Sequence, residues 1–419
     1  MSHSSLGPES NDRGIPPRKI KVLYIDGSIG FGGAPKSLSL LLKGLKNVEP
    51  IIMTSTLKDV RKKCFSGYRV YRLGRISNYY RKVRVREWLS ANIPAKFLQK
   101  MILKSFLLLD FLERWVSMAK IFFLAKFHGV DLIHMNTACF PPEGLYVARL
   151  LKIPSISHLR GFFTSKEAVF VNAMRSATLV VAISKAVSKS IDHIKDPENV
   201  PIVYDPVDID LFGSVSGRRP ETRRSLGLKE TDTAVGIFGR VIPWKGQREF
   251  VYACIGAMKK NPDIKAFIVG DPSDSASDYL TEIKKIISES TFEDRFILTG
   301  YREDVEELYA AMDIIVHASV TSEPFGMVVP EGMAARRPVI AADAGGPTEI
   351  IDSGVDGILV PPGDVGKMSA AILELADDPS KRQRIGENGY RKAKARFTIE
   401  SMASRIEKLY VDLVQNAHA

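Results

Sequence analysis

The chain has 419 residues, of which 45% are hydrophobic and 26% charged, and its formal net charge is +11. This length exceeds one typical domain and suffices for two α/β cores, while no apolar stretch reaches the roughly 18 residues of a membrane-spanning helix. Cys64, Cys139 and Cys254 are scattered without the spacing of a zinc site or a disulfide framework, so we expect reduced thiols in a cytosolic protein.

The N-terminal region combines a polar tail with a glycine loop. Residues 1–16 are rich in Ser, Gly, Pro and charge, lack the apolar core of a signal peptide, and predict a disordered tail. A strand at 19–25 then runs into a loop with four glycines between 27 and 33, followed by a helix from Lys36 to about Gly44. Such a loop lets backbone N–H groups approach an anion. Its spacing, GxxGxGG, fits neither the dinucleotide fingerprint nor a Walker A loop, and a tight turn without a ligand is an equal alternative.

A basic and apolar segment spans residues 75–127. Between Arg75 and Lys126 it carries eleven Lys and Arg residues against three acidic ones, interleaved with Phe, Trp and Leu at helical spacing. This pattern favours a helix lying on an anionic membrane, but core-facing helices with solvated basic sides would produce it as well. Nucleic-acid binding is disfavoured because the aromatic residues lie among aliphatic ones and do not form stacking platforms.

Strands alternate with helices on both sides of a polar boundary at about 205–230. Before it we predict strands at 51–55, 68–73, 130–136, 155–161 and 179–184, with a helix at 143–151. After it we predict strands at 234–239, 266–269, 296–299, 314–318, 339–342 and 357–360, with helices at 247–259 and 399–415. This alternation predicts an α/β fold of doubly wound parallel sheets, which bind ligands at the C-terminal edges of their strands.

Two histidines end predicted strands of the first half. A lone strand histidine, such as His134, is more often a structural residue than a functional one. His158 is the stronger candidate because the sequence His-Leu-Arg-Gly places two polar groups at one strand edge.

Two pairs of charged side chains in the second half suggest a ligand with phosphates and sugars. Arg240 and Lys245 follow a strand between glycines, where cations suit a diphosphate that Arg can chelate. Glu323 and Glu331 are separated by seven residues at a strand-to-helix turn, and a carboxylate can accept two hydrogen bonds from a vicinal diol. If the helix begins near Gly326, Glu331 lies about 7–8 Å along it, so the two acids would serve different parts of one extended ligand.

Three further segments resemble a known family. EPFGMVVPE at 323–331, MAARRPVIAADAGGPTEII at 333–351 and GVDGILVPPGD at 354–364 resemble the retaining GT-B glycosyltransferases of group 1, with their E-x7-E motif. That family contains sucrose synthase and many bacterial mannosyl-, glucosyl- and galactosyltransferases. GRVIPWKG at 239–246 is similar to its phosphate-binding segment, and Asp205-Pro206-Val207-Asp208 with Phe212 is similar to its crossover segment. The resemblance is dense from about 179 to 375.

The resemblance implies a GT-B fold, in which two Rossmann-like domains face each other across a cleft. Residues 17–205 would form an acceptor domain containing the 75–127 insertion, residues 206–395 the nucleotide-sugar domain, and residues 396–419 a helix crossing back to the first domain. The implied reaction is transfer of a hexose, with retention, from a nucleotide-diphosphate sugar to a glycan or lipid-linked acceptor, as in polysaccharide or lipopolysaccharide biosynthesis. Neither a metal nor another cofactor is expected, and the location would be cytoplasmic, with peripheral contact to the membrane.

Carried over position by position, the family motif assigns the site. Glu323 would meet donor-sugar hydroxyls, His158 would lie beside the reacting sugar, and Glu331 would bind the ribose diol. The remaining donor contacts would come from the diphosphate cations, the first-domain glycines, the base pocket and the turn before the helix, namely Arg240, Lys245, Gly32, Gly33, Tyr301, Arg302, Phe325, Gly326, Met327 and Val328. Two positions depart from the family pattern: Pro35 replaces a Glu, and Asp205-Pro206 replaces Asn-Gly.

Two other function classes fit part of the pattern. Glu323 and Glu331 alone would suit a glycoside hydrolase, although a hydrolase has no diphosphate for Arg240 and Lys245 to bind. A non-catalytic nucleotide-sugar-binding subunit would bind the donor without turning it over.

Overall fold

A computed structural model describes residues 18–28, 32–73, 88–89, 92–93, 96–272 and 277–418. The tail predicted at 1–16 lies outside these residues, as does most of the basic segment before Lys96. The apolar runs assigned to strands form two six-stranded sheets, and all strand pairs within them are parallel. The predicted α/β class with two parallel sheets is therefore confirmed.

The N-terminal half of the chain is built on a sheet with the order β3-β2-β1-β4-β5-β6. Its strands are β1 (Ile20–Asp26), β2 (Val48–Thr54), β3 (Arg69–Arg72), β4 (Leu132–Met135), β5 (Ser155–Leu159) and β6 (Leu179–Ala182). Its helices are α1 (Gly33–Gly44), α2 (Lys58–Phe65), α3 (Lys96–His128), α4 (Glu143–Leu151), α5 (Ala168–Ser176) and α6 (Lys185–Ser188).

The C-terminal half repeats this topology, with the order β12-β11-β10-β7-β8-β9. Two helices, α7 (Ile209–Val215) and α8 (Arg219–Ser225), lead into it. Its strands are β7 (Thr233–Phe238), β8 (Ile264–Val269), β9 (Phe296–Gly300), β10 (Ile314–His317), β11 (Val339–Ala342) and β12 (Ile358–Val360). Its helices are α9 (Gln247–Met258), α10 (Ser277–Ser288), α11 (Val305–Ala311), α12 (Val328–Ala334), α13 (Pro347–Ile350), α14 (Val365–Asp377), α15 (Pro379–Arg396) and α16 (Ile399–His418).

Three strands of the second sheet are fully buried because helices cover both faces of that sheet. All six residues of β7 are buried, as are all four of β10 and of β11, which is typical of parallel sheets. One hydrophobic cluster continues from the N-terminal half through Phe212, Phe325 and Phe397 into the C-terminal half. The two halves therefore share apolar packing beside the cleft that separates their sheets.

The last helix, α16, returns to the N-terminal half. Gly44, at the end of α1, packs so closely on it that an added Cβ would lie 2.7 Å from Ile399 Cγ2 and 2.8 Å from Ala403 Cβ. Further along α16, the buried Tyr410 hydroxyl donates to the Tyr24 hydroxyl of β1 at 2.9 Å. The C-terminal helix thus reaches the centre of the first sheet.

Two helix boundaries differ from the sequence prediction. Helix α1 begins at Gly33, three residues before the predicted start, and keeps Pro35 in its first turn, where a missing N–H costs nothing. Helix α12 begins at Val328 and not near Gly326, because Gly326 has φ +85°, outside the helical region. Glu331 consequently lies in the first turn of α12.

No helix in the described part of the chain combines the length and the apolar character needed to cross a membrane.

Candidate active site

Glu323 is the centre of the first polar cluster at the edge of the second sheet. It follows β10 in the loop before α12, and its side chain is 9% exposed. Its Oε2 accepts hydrogen bonds from Lys245 Nζ at 2.7 Å and from Ser319 Oγ at 2.9 Å, and lies 3.2 Å from His317 Nε2. Lys245 comes from the loop after the neighbouring strand β7, so the parallel pairing of β7 and β10 brings the two side chains together.

The electrostatics of this cluster keep Glu323 ionised. Burial by itself would raise the pKa of a carboxyl group, since water stabilises the charged form. The hydrogen bond and charge of His317, with the ammonium group of Lys245, outweigh that effect and lower the pKa of Glu323 to about 2. His317 and Ser319 were not predicted as functional residues, and His317 Nδ1 is buried without a hydrogen-bond partner in the described structure.

Glycines fix the backbone of the two loops that carry Lys245 and Glu323. Gly246, after Lys245, has φ +74°, and a Cβ there would lie 1.9 Å from the Ala318 carbonyl oxygen. Gly345 also has φ +74°, and its Cβ would lie 2.1 Å from the Glu323 carbonyl oxygen, to which Gly346 donates its N–H at 2.8 Å. Only glycine tolerates both the backbone conformation and the close approach. The segment 345–347, Gly-Gly-Pro, therefore holds the backbone of Glu323 in place.

Arg240 and Phe325 occupy different environments in the same region. Arg240 is exposed, and its guanidinium group has no ion-pair partner among the described residues, which leaves it available to a ligand. The Phe325 side chain is 2% exposed and stacks on Tyr204, with ring centroids 5.8 Å apart. Only the backbone of Phe325 is therefore free to face a ligand.

Glu331 belongs to a second polar cluster that joins the two halves. Its Oε1 accepts from Lys36 Nζ of α1 at 2.7 Å, and its Oε2 accepts from the Tyr309 hydroxyl at 2.9 Å. The negative charge of Glu331 raises the pKa of Lys36, and burial raises the pKa of Tyr309. Lys36, which the sequence analysis did not assign to the site, thus supplies the first-domain contact to Glu331.

A cavity of about 240 Å³ opens beside this second cluster, between the two halves. It is lined from the N-terminal half by Lys36 and Lys63 and from the C-terminal half by Glu331, Met327 and Tyr301. Tyr301 is 54% exposed, and its hydroxyl accepts a hydrogen bond from Lys63 Nζ at 3.2 Å. Arg302 also lines the cavity, but its guanidinium group is paired with Asp304 at 2.5 Å.

Gly32 and Gly33 lie at the N-terminal end of α1, where both are exposed. Among the described residues, no atom outside the local backbone lies within 4 Å of the position that a Cβ would occupy at either glycine. Packing therefore does not require glycine there, which leaves room for a ligand at this helix end. Residues 29–31 of the glycine loop lie outside the described residues.

His158 is buried and linked to the C-terminal helix. Its Nδ1 lies 3.2 Å from His134 Nε2, and His134 Nδ1 lies 2.7 Å from the Tyr410 hydroxyl. Burial and the nearby Arg160 lower the pKa of both histidines, that of His134 to about 3. His158 Nε2 has no hydrogen-bond partner in the described structure. In this state the ring is fully enclosed, so its role beside a reacting sugar stays a prediction.

Arg160 ties the strand edges of the N-terminal half together. Its Nε donates to Asn136 Oδ1 at 2.7 Å, and its Nη1 donates to Ser37 Oγ at 2.7 Å and forms an ion pair with Asp205. The Arg160 and Asp205 side chains are 4% and 5% exposed. Asp205, one of the two departures from the family pattern, thus has a defined partner in Arg160.

Within the described residues, no group of three or more His, Cys, Asp or Glu side chains could hold a metal ion. The two clusters at the cleft each pair a carboxylate with a lysine and with neutral donors. Such an arrangement can bind the hydroxyls of a ligand through the carboxylates and its phosphates through the cations.

Comparison with known proteins finds similarity to glycosyltransferases. Residues 218–392 match the model of the family described as glycosyl transferases group 1. The chain is 33% identical over 225 residues to the D-inositol 3-phosphate glycosyltransferase of Corynebacterium kroppenstedtii, covering 52% of this chain and 49% of that protein. It is 29% identical over 199 residues to the lipopolysaccharide core biosynthesis mannosyltransferase LpsB of Rhizobium meliloti, covering 47% and 56%. These matches span about half the length of either relative.

A solved structure extends the likeness to nearly the whole chain. Anabaena Alr3699/HepE in complex with UDP is 26% identical, with a TM-score of 0.75, covering 94% of this chain and 100% of that one. Its complex with UDP-glucose gives a TM-score of 0.73 at the same identity and coverage. Sucrose-phosphate synthase from Thermosynechococcus elongatus shares the fold at 19% identity, with a TM-score of 0.66 over 95% of this chain and 100% of that one. The two facing parallel sheets with the returning helix are therefore a GT-B fold.

Proposed function

We propose that this chain, in which residues 218–392 match the glycosyl transferases group 1 model, transfers a sugar from a nucleotide-diphosphate sugar to a glycan or lipid-linked acceptor. The observation that carries this proposal is the contact of Lys245 Nζ with Glu323 Oε2 at 2.7 Å. It joins a cation suited to a diphosphate with a carboxylate suited to sugar hydroxyls, although the two residues are 78 positions apart. A donor with a sugar next to a diphosphate needs this juxtaposition.

The proposed chemistry follows from how charge develops as the donor is cleaved. The bond between the anomeric carbon and the diphosphate oxygen breaks, so the sugar becomes positive and the leaving group negative. The ionised Glu323 binds the sugar hydroxyls, while Arg240 and Lys245 stabilise the leaving diphosphate. The acceptor hydroxyl attacks the anomeric carbon and gives its proton to a leaving phosphate oxygen. Attack from the side of the departing diphosphate would retain the anomeric configuration, and these cations would take the place of a metal.

The second cluster suits the nucleoside end of the donor. Glu331 would bind the ribose diol, for which it must exchange its contact with Lys36. The cavity of about 240 Å³ beside it, with Tyr301 in its wall, would receive the base. Because the HepE structures contain UDP and UDP-glucose, UDP-glucose is the first donor to test, in a panel scored by thermal stabilisation and by slow donor hydrolysis.

The ionisation of Glu323 restricts the glycoside hydrolase alternative to one in which Glu323 is the nucleophile and Glu331 the acid. A hydrolase needs one protonated carboxyl group to donate to the leaving oxygen. A carboxyl with its pKa lowered to about 2 cannot provide that proton near neutral pH. A non-catalytic subunit would bind the donor and leave it intact, so donor consumption in the panel separates that alternative from the transferase.

Lys245→Ala is expected to weaken donor affinity by about 10- to 100-fold, because a charge-assisted contact to the diphosphate is lost. Isothermal titration calorimetry with the donor that stabilises the wild type measures this change. Lys284→Ala, which removes an exposed lysine of α10, is the matched control and should bind as the wild type does. Unchanged donor affinity in Lys245→Ala would contradict the diphosphate role.

We further propose that the acceptor side of the enzyme contacts an anionic membrane through α3. This 33-residue helix is about 50 Å long. Its buried side includes Ile121 and Ala125, whereas one broad face exposes Phe97, Leu98, Met101, Phe111, Leu112, Trp115, Val116, Phe123 and Phe127. Lys96, Lys120 and Lys126 are exposed on the same helix. An apolar face with basic residues beside it suits the interface of a bilayer with anionic lipids.

Replacing Phe123 and Phe127 by Ser should lower binding to phosphatidylserine-containing vesicles by about tenfold, because two exposed aromatic anchors are removed. These side chains are 68% and 84% exposed, so the fold should be unaffected. Co-sedimentation at two salt concentrations measures the effect, and binding should weaken as salt rises. Val355→Ser, at another exposed apolar position, is the control. Equal sedimentation with anionic and neutral vesicles would contradict the proposal.

A further inference from the structure

The C-terminal half contains a second cavity, at the sheet edge opposite the donor cleft. It has a volume of about 310 Å³ and lies next to Asp313, which precedes β10, and Pro338, which precedes β11. The donor residues Lys245 and Glu323 follow the other ends of strands β7 and β10. The second cavity is therefore separate from the site described above.

Three arginines line this cavity: Arg336, Arg337 and Arg382. The Arg337 side chain forms neither an ion pair nor a hydrogen bond with the described residues, and its Nε is buried without a partner. Arg382 donates from Nη1 to the carbonyl oxygens of Leu375 and Ala376, at 2.7 Å each, and forms no ion pair with a carboxylate of the described residues. Arg337 as a residue is half-buried, but its Nε is enclosed, and a buried donor without a partner is costly unless something else satisfies it.

The two acids at the cavity are already matched by other cations. Asp313 accepts from Arg219 at 2.6 Å and from Arg223 at 2.8 Å, and also from the Ala234 N–H. Glu387 pairs with Arg336, whose guanidinium also stacks on Tyr390 at 3.6 Å. The cavity therefore carries an excess of positive charge. Burial and the charge of the neighbouring arginines lower the pKa of Arg337 to about 10, because both disfavour its charged form.

The backbone also points to a use for this site. Arg336 has φ +59°, the left-handed conformation in which helices commonly end and which glycine adopts without strain. An arginine here keeps a less favourable backbone and places its side chain at the cavity. Arg336 and Arg337 lie in the turn after α12, so they are placed by the same helix that carries Glu331.

We propose that this cavity is a binding site for a phosphate group, carried by inorganic phosphate or by a phosphomonoester. The planar guanidinium groups of Arg337 and Arg382 match the oxygens of a tetrahedral oxyanion. A dianion suits the surplus of positive charge better than a carboxylate does. The volume admits an organic group attached to the phosphate.

Equilibrium dialysis with radiolabelled inorganic phosphate, at constant ionic strength set by chloride, tests the site on the full chain. The wild type should bind, and Arg337→Gln should bind about tenfold more weakly or not at all. Arg337→Lys should bind phosphate with an affinity between these two, since it keeps the positive charge but not the planar guanidinium group that can contact two oxygens. Arg248→Gln, which removes a remote exposed arginine paired with Glu249, is the matched control and should bind normally. If Arg337→Gln does not fold, Arg382→Gln takes its place with the same expectation.

Competition separates the two sources of phosphate. Displacement of the label by glucose 6-phosphate at lower concentration than by unlabelled phosphate would assign a phosphomonoester, and the reverse order would assign free phosphate. Lys245→Ala keeps the donor cleft from contributing and should leave this binding intact. Phosphate binding lost in Lys245→Ala but kept in Arg337→Gln would move it to the donor cleft and overturn this inference without affecting the proposed function. Failure of the wild type to bind phosphate would also overturn it.

Discussion

Glu323→Gln is expected to reduce turnover by about a hundredfold or more, the magnitude typical of losing one charged group that stabilises a transition state. The substitution preserves the shape of the side chain and can still accept from Ser319. It removes the negative charge that Lys245 and His317 hold in place. Initial rates at saturating donor and acceptor measure the change, with Glu289→Gln, just after α10, as a matched control at an exposed position. Rates within a few-fold of the wild type would remove Glu323 from the proposed mechanism.

The same variant has a defined effect on the pH dependence of stability. The folded protein lowers the pKa of Glu323 from 4.5 to about 2. A lowered pKa contributes stability above pH 4.5, and that contribution is lost as the pH falls from 4.5 towards 2. The wild type should therefore exceed Glu323→Gln in stability at neutral pH, and the difference should shrink in acid. Urea unfolding between pH 2.5 and 7 measures it, and a difference that is constant with pH would contradict the ionised assignment.

The fold could be predicted because its signals are local. Apolar runs such as 234–239 and 339–342 become buried strands wherever a parallel sheet is covered on both faces. The start of α12 was missed because Gly326, at φ +85°, breaks the helix that the apolar turn suggested. Propensity alone cannot tell whether a glycine will adopt a positive φ.

The long-range contacts of the site could not be predicted. Lys36 and Glu331 are 295 positions apart, and His134 and Tyr410 are 276 apart, so no spacing rule connects them. Lys245 and Glu323 were predicted to act on one ligand, but not to touch each other. His317 was interpreted only as part of a buried strand, since nothing in that pattern distinguishes a strand-end histidine facing the site. The sequence thus supplies the functional groups, and the pairing of strand edges decides their partners.

Asp205→Asn is expected to cost about 3–5 kcal/mol of the free energy of unfolding, because it leaves the buried Arg160 charge without its counter-ion. Both side chains are at most 5% exposed, so water cannot replace the lost partner. Arg160 also holds Ser37 of α1 and Asn136 after β4, so the loss extends to the strand edges that face the cleft. Urea unfolding at pH 7 measures the change.

The exposed pair of Arg218 and Glu307 provides the matched control. Its two side chains are 64% and 25% exposed, and Glu307→Gln should cost less than about 1 kcal/mol. The double variant Arg160→Met/Asp205→Asn should lose less free energy of unfolding than its two single variants lose together, because it no longer buries an unpaired charge. If Asp205→Asn and Glu307→Gln destabilise equally, the Arg160 pair is not what holds the crossover segment to the N-terminal half. A large cost confined to Asp205→Asn would show that the cation at position 160 requires a charged partner at position 205.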